Sequence, residues 1–115
     1  MNRKDRINLA AAHLTRNGYN VETPTRNGID IIARDGHGIT AFIAVSPLRR
    51  KYFPIQPFKG TKARESRFCR LTAGLNKWLV ENPKHKGLVR IDSVFVADDG
   101  RLDHMEGQPH RVGAY

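Results

Sequence analysis

The chain of 115 residues is long enough to bury one hydrophobic core, and we expect a single domain over residues 1–115. Its 20 lysines and arginines outnumber its 11 aspartates and glutamates, and the formal net charge of +9 favours a polyanionic partner. There is no apolar run of membrane-span length, no signal-peptide pattern and only one cysteine, Cys69. These features predict a cytoplasmic protein that contacts no membrane and forms no internal disulfide.

The first half of the chain predicts a helix followed by three strands, over 5–17, 19–23, 29–33 and 39–45. In the helix, Ile7, Ala10 and Leu14 recur at helical spacing, and Asn17-Gly18 supplies a stop. The second and third strands surround the turn "RDGHG" and are almost continuously apolar. Such strands are typical of the centre of a sheet that is covered on both faces.

The second half predicts a loop, a long helix, two strands and a tail, over 46–60, 62–82, 88–97, 101–105 and from about 107 onward. Three prolines and a glycine in 46–60 favour an extended loop. The helix carries an apolar stripe of Phe68, Leu71, Leu75, Trp78 and Leu79. We expect the tail to be held loosely. The order α-β-β-β-α-β-β predicts an α/β fold in which helices flank a central mixed sheet.

Several stretches, in this order, resemble the restriction-endonuclease-like or PD-(D/E)XK superfamily. They are "HLTRNGY", "NGIDIIARDG", "FIAVS", "SRFCRLTAGLNKWL" and "RIDSVFVADDGRLDHM". Within that superfamily the chain is most similar to the YraN-like proteins. The resemblance implies a restriction-endonuclease-like fold and a nuclease scaffold.

The resemblance also implies a metal site, in which an acid on the second strand and an acid on the third hold Mg²⁺ beside a lysine. Asp30 matches the first acid, but Ala44 and Ser46 stand at the positions of the second acid and the lysine. Ile7 and Gly28 replace two further acids. We therefore expect a vestigial site with no catalytic residues, no metal and no cofactor.

Asp30 leaves two alternatives open. It is either a structural acid paired with Arg67 or another basic side chain, or the centre of a relocated active site. In the second case Glu22, Asp35 or Asp92 would approach it, and the protein would be an endonuclease that depends on Mg²⁺ or Mn²⁺. The resemblance favours a structural role for Asp92.

Positive charge is concentrated in residues 49–70, which we call the basic segment. Its cations are Arg49, Arg50, Lys51, Lys59, Lys62, Arg64, Arg67 and Arg70. With the single acid Glu65 the segment carries 8 − 1 = +7, and Tyr52, Phe53 and Phe58 lie among the cations. Cations interleaved with aromatic residues are typical of nucleic-acid binding, although charge runs also form solvated surfaces. Arg67 matches a lysine in the helix of the similar proteins.

The sequence thus predicts a nucleic-acid-binding protein, with DNA as the expected partner, on a nuclease-like scaffold that has lost cleavage. An active endonuclease and a protein-interaction subunit of a larger nucleic-acid-processing assembly are the alternatives. A homodimer or a protein partner is compatible with all of them.

Overall fold

A computed structural model describes residues 1–24, 28–48, 62–85 and 87–112 of the chain. Its elements are α1 (Arg3–Arg16), β1 (Asn20–Glu22), β2 (Ile31–Arg34), β3 (Ile39–Pro47), α2 (Lys62–Glu81), β4 (Gly87–Val96), β5 (Leu102–Met105) and β6 (His110–Val112). The predicted α/β class is confirmed. Among these residues no helix is long and apolar enough to cross a membrane.

The six described strands form one mixed sheet, in which five follow the order β1-β2-β3-β4-β5 and β6 pairs with β4. The first three strands form an antiparallel meander, and β3 pairs in parallel with β4, which follows α2 in the chain. On its other edge, β4 pairs antiparallel with β5 through Ser93–Val96 and with β6 through Gly87–Val89. The carboxyl ends of β3 and β4 therefore lie at the same end of the sheet.

Apolar side chains cover both faces of the sheet, as predicted. On one face, Ile7, Ala10 and Leu14 of α1 pack against a buried cluster that includes Ile43 and Val45. On the other face, Leu71 and Leu75 of α2 pack against Phe42 and Ala44. Successive residues of β3 alternate between the two clusters, because strand side chains point to opposite faces.

The apolar stripe of α2 is less buried near its end than the spacing predicts. Leu71 and Leu75 are buried, whereas Trp78 and Leu79 are half-buried at the rim of the cluster. The Trp78 ring meets Phe42 and His85 edge-on, with both pairs of ring centroids 5.1 Å apart. The side chain of Phe68 lies outside the described residues.

Two sequence expectations need correction. Asp30 is not inside a strand, since β2 begins at Ile31 and the Asp30 carboxylate itself accepts the backbone N–H of Val45. A backbone carbonyl would accept that N–H in a regular ladder. Residues 110–112 are not a loose tail either. They form β6, because the outer edge of β4 beyond β5 offers backbone groups to pair with.

Candidate nucleic-acid interface

Asp30 is a buried acid whose carboxylate oxygens both have partners in the protein. Its side chain is 3% exposed. Oδ1 accepts a hydrogen bond from Nη2 of Arg3 in α1, and Oδ2 accepts one from the Val45 N–H at 2.8 Å. The Asp30 N–H donates to the Ile43 carbonyl at 3.0 Å. Asp30 is therefore a paired acid, and its described ion-pair partner is Arg3.

The pairing follows from the way α1 begins. Asn2 caps the helix by accepting the Asp5 N–H at 2.8 Å, so α1 begins at Arg3, and the contact of Arg3 with Asp30 places this first turn at the end of the sheet where β2 begins. Arg3 lies four residues before the buried Ile7 and therefore on the same face of α1. That spacing carries the guanidinium over the sheet end to Asp30. The Arg3 side chain nevertheless remains 61% exposed.

The other positions that the resemblance matched to a metal site are filled by small or apolar groups. Ala44 is 2% exposed within the α2-facing cluster, and Ser46 is buried two residues further along β3. Ile7 belongs to the α1-facing core. Gly28 has a φ of +78°, and a Cβ built on it would lie 3.0 Å from the Arg70 carbonyl oxygen.

This donor set does not fit a Mg²⁺ ion. Magnesium requires near-octahedral oxygen coordination, commonly with one or two carboxylates. Here both oxygens of Asp30 already accept hydrogen bonds, and neither Ala44 nor Ser46 supplies a second carboxylate. Among residues 1–24, 28–48, 62–85 and 87–112, no group of three or more His, Cys, Asp or Glu side chains is placed to hold a metal ion.

The acids considered as relocated partners of Asp30 are engaged elsewhere. Glu22 forms an ion pair with Arg34 at 3.2 Å. Asp35 accepts the N–H groups of His37 and Ile39 in the β2–β3 turn, which lies at the opposite end of β2 from Asp30. Asp92 of β4 is the register partner of Ile43 in β3. Strand β3 therefore lies between Asp92 and β2, the strand that follows Asp30.

The described residues next to the basic segment and at its end lie at the same end of the sheet as Asp30. The residue just before the segment is Leu48, whose N–H donates to the Val96 carbonyl at 2.9 Å, beyond the end of β3. Arg70 is exposed on α2, and its backbone lies against Gly28, two residues before Asp30. Arg49, Arg50, Lys51 and Lys59 lie outside the described residues, as do the side chains of Lys62, Arg64 and Arg67. Tyr52, Phe53 and Phe58 lie outside them too.

A second polar group, on the α1-covered face of β4, was not predicted as a unit. Asp92 is completely buried and accepts four hydrogen bonds, from Arg90 Nε and Nη2, His104 Nε2 and the Gly107 N–H, at 2.8–2.9 Å. Arg90 Nη2 also donates to the Tyr19 hydroxyl at 3.0 Å. We call Tyr19, Arg90, Asp92 and His104 the β4 network. The only local sequence signal of this network is an acid two residues after an arginine in an otherwise apolar strand.

The β4 network favours the charged forms of Asp92 and Arg90. Burial alone would raise the pKa of Asp92, but hydrogen bonds from His104, Arg90 and Gly107, with the charge of Arg90, outweigh it and hold that pKa below its usual value. Burial likewise opposes the charge of Arg90, yet bonds to Asp92 and Tyr19 raise its pKa. All of the carboxylate's bonds are internal, which indicates a structural role.

Comparison of the sequence with known protein families and with curated proteins found no match.

Proposed function

We propose that this chain is a nucleic-acid-binding protein, with DNA as its ligand, on a restriction-endonuclease-like scaffold that does not cleave. The element order supports that fold, together with the antiparallel meander, the parallel β3–β4 pair and a helix on each face. The unsuitable donor set around Asp30 supports the loss of Mg²⁺-dependent cleavage.

One observation carries the binding proposal. Leu48, which precedes the basic segment, and Arg70, its last residue, both lie at the end of the sheet that holds Asp30. The segment itself carries a net charge of +7 within 22 residues. Phosphates attract such a concentration of cations, and the release of counterions makes the affinity dependent on salt.

The test is to replace Arg49, Arg50 and Lys51 with alanine and to titrate a labelled oligonucleotide at several salt concentrations. We expect weaker binding to duplex and single strand alike, because both present the phosphates that these cations would neutralise. The slope of log K against log salt should become shallower by about 0.9 for each duplex phosphate contact that is lost.

The matched control replaces three exposed cations of the opposite end of the sheet, Arg16, Lys84 and Arg111, with alanine. It removes the same charge and should weaken binding less than the first triple variant does. Equal losses would show that the net charge alone attracts the nucleic acid. If the wild type does not bind at low salt, the protein-interaction alternative replaces this proposal.

The cleavage half of the proposal has its own measurement. Wild-type protein should leave plasmid DNA intact in the presence of Mg²⁺ or Mn²⁺. Nicking that copurifies with the protein and disappears in Asp30→Ala would establish the endonuclease alternative.

A further inference from the structure

The ion pair between Arg3 and Asp30 is strongly asymmetric in exposure. The acid is buried to 3% exposure and has both oxygens occupied, whereas the Arg3 side chain is 61% exposed. A guanidinium carries five N–H donors. One hydrogen bond to Asp30 therefore leaves donors of a fixed, oriented cation available to another anion.

We propose that Arg3 contacts a phosphate of the bound nucleic acid and that Asp30 is the residue that positions it. This inference rests on the proposed function and adds a residue that lies far from the basic segment in the sequence. The guanidinium then occupies the role that the nuclease resemblance gives to Mg²⁺, as the cation held by Asp30 next to phosphate. The poor fit of the donor set to a metal follows from the same arrangement.

Two physical features support the assignment. Arginine binds phosphate through paired, parallel N–H donors, and the affinity benefits when the guanidinium is already held in place. In addition, Arg3 begins α1, and the helix dipole favours anions at that end. The exposed Lys4 is adjacent to Arg3 and has the same charge, but it has no described contact with Asp30.

Asp30→Asn changes the nucleic-acid affinity in opposite directions depending on whether Asp30 positions Arg3 or only the net charge attracts the nucleic acid. This change removes a negative charge and raises the net charge from +9 to +10. Attraction between net charges would therefore make binding tighter. If Asp30 positions Arg3, binding should instead weaken by about 5- to 10-fold, as it should for Arg3→Gln. The double variant should bind within about twofold of either single variant, because the two changes remove one contact.

Two controls match these changes. Glu22→Gln removes an acid from the exposed Glu22–Arg34 pair and should leave binding equal or tighter. Lys4→Gln removes a neighbouring cation and should weaken binding less than Arg3→Gln does. Melting curves verify that each variant is folded, and if Asp30→Asn does not fold, the comparison of Arg3→Gln with Lys4→Gln decides.

Equal losses for Arg3→Gln and Lys4→Gln would overturn the inference, and so would unchanged or tighter binding by folded Asp30→Asn. In both cases the wild type would still bind, so the proposed function would stand. A wild type with no affinity for the oligonucleotide would remove the proposed function and the role of Arg3 together.

Discussion

Asp92 and Asp30 are both buried acids, and their partners differ in a way that separates structure from function. Asp92 accepts four hydrogen bonds, and its arginine partner is itself buried. Asp30 is paired with an arginine that remains exposed. The guanidinium of Arg90 is buried and out of reach of a ligand, whereas that of Arg3 is accessible. This contrast indicates a structural role for the β4 network, and it is the basis of the proposed phosphate contact of Arg3.

Asp92→Asn should strongly destabilise the fold. The change leaves the buried Arg90 without its counter-charge, and removal of one partner of a buried ion pair costs about 3–5 kcal/mol. Urea unfolding at pH 7 measures this loss. Asp99→Asn, in the exposed pair with Arg101, is the control and should leave the midpoint nearly unchanged. A similar midpoint for both variants would contradict the structural role of the β4 network.

The same variant tests the pH dependence of stability. Because the pKa of Asp92 in the folded protein lies below its ordinary value of 3.8, the ionised carboxylate contributes its full stabilisation above that pH. The contribution is lost as the pH falls through the lower pKa of the folded state. Wild type should therefore lose more unfolding free energy than Asp92→Asn between about pH 5 and 2.

At the scale of elements, local periodicity was sufficient for α1, α2 and strands β2 to β4. Their apolar spacing is set by the face that each element buries, and it is visible in short windows of sequence. The three-residue strand β6 has no such pattern, because its position is fixed by backbone pairing to a distant strand. A basic partner for Asp30 was predicted, but its identity as Arg3 was not, for a similar reason, since the two residues are 27 positions apart in the sequence. The burial of Trp78 was overestimated because spacing along a helix does not show where the covering sheet ends.

The connection between β5 and β6 packs closely on β4 at Gly107. A Cβ built there would lie 2.0 Å from the Ile91 carbonyl oxygen, so Gly107→Ala must displace backbone. We expect a cost of about 2–4 kcal/mol, measured by urea unfolding. Gly36→Ala is the control, because nothing lies within 4 Å of its Cβ position, and its cost should stay below about 1 kcal/mol. If the two costs are equal, the close approach of Gly107 to β4 is wrong.

At the scale of the whole molecule, an excess of positive charge acts against the compact state. A net charge of +9 on 115 residues produces self-repulsion that salt screens. The melting temperature should therefore rise as NaCl increases from about 20 to 200 mM, which is opposite to the expected effect of the same salt on nucleic-acid affinity. Differential scanning calorimetry at constant pH measures the shift. A melting temperature that falls with salt would show that favourable ion pairs outweigh the repulsion.

The division of the outer edge of β4 between β5 and β6 also has a consequence for biosynthesis. When β4 leaves the ribosome, β3 is already available on one side, but the strands that cover its other edge have not been made. Until residues 102–112 emerge, the backbone of Gly87–Val89 and Ser93–Val96 is open to pairing with other nascent chains, and Asp92 lacks His104 and Gly107. A chaperone that binds exposed strand edges would act on the nascent protein in this interval.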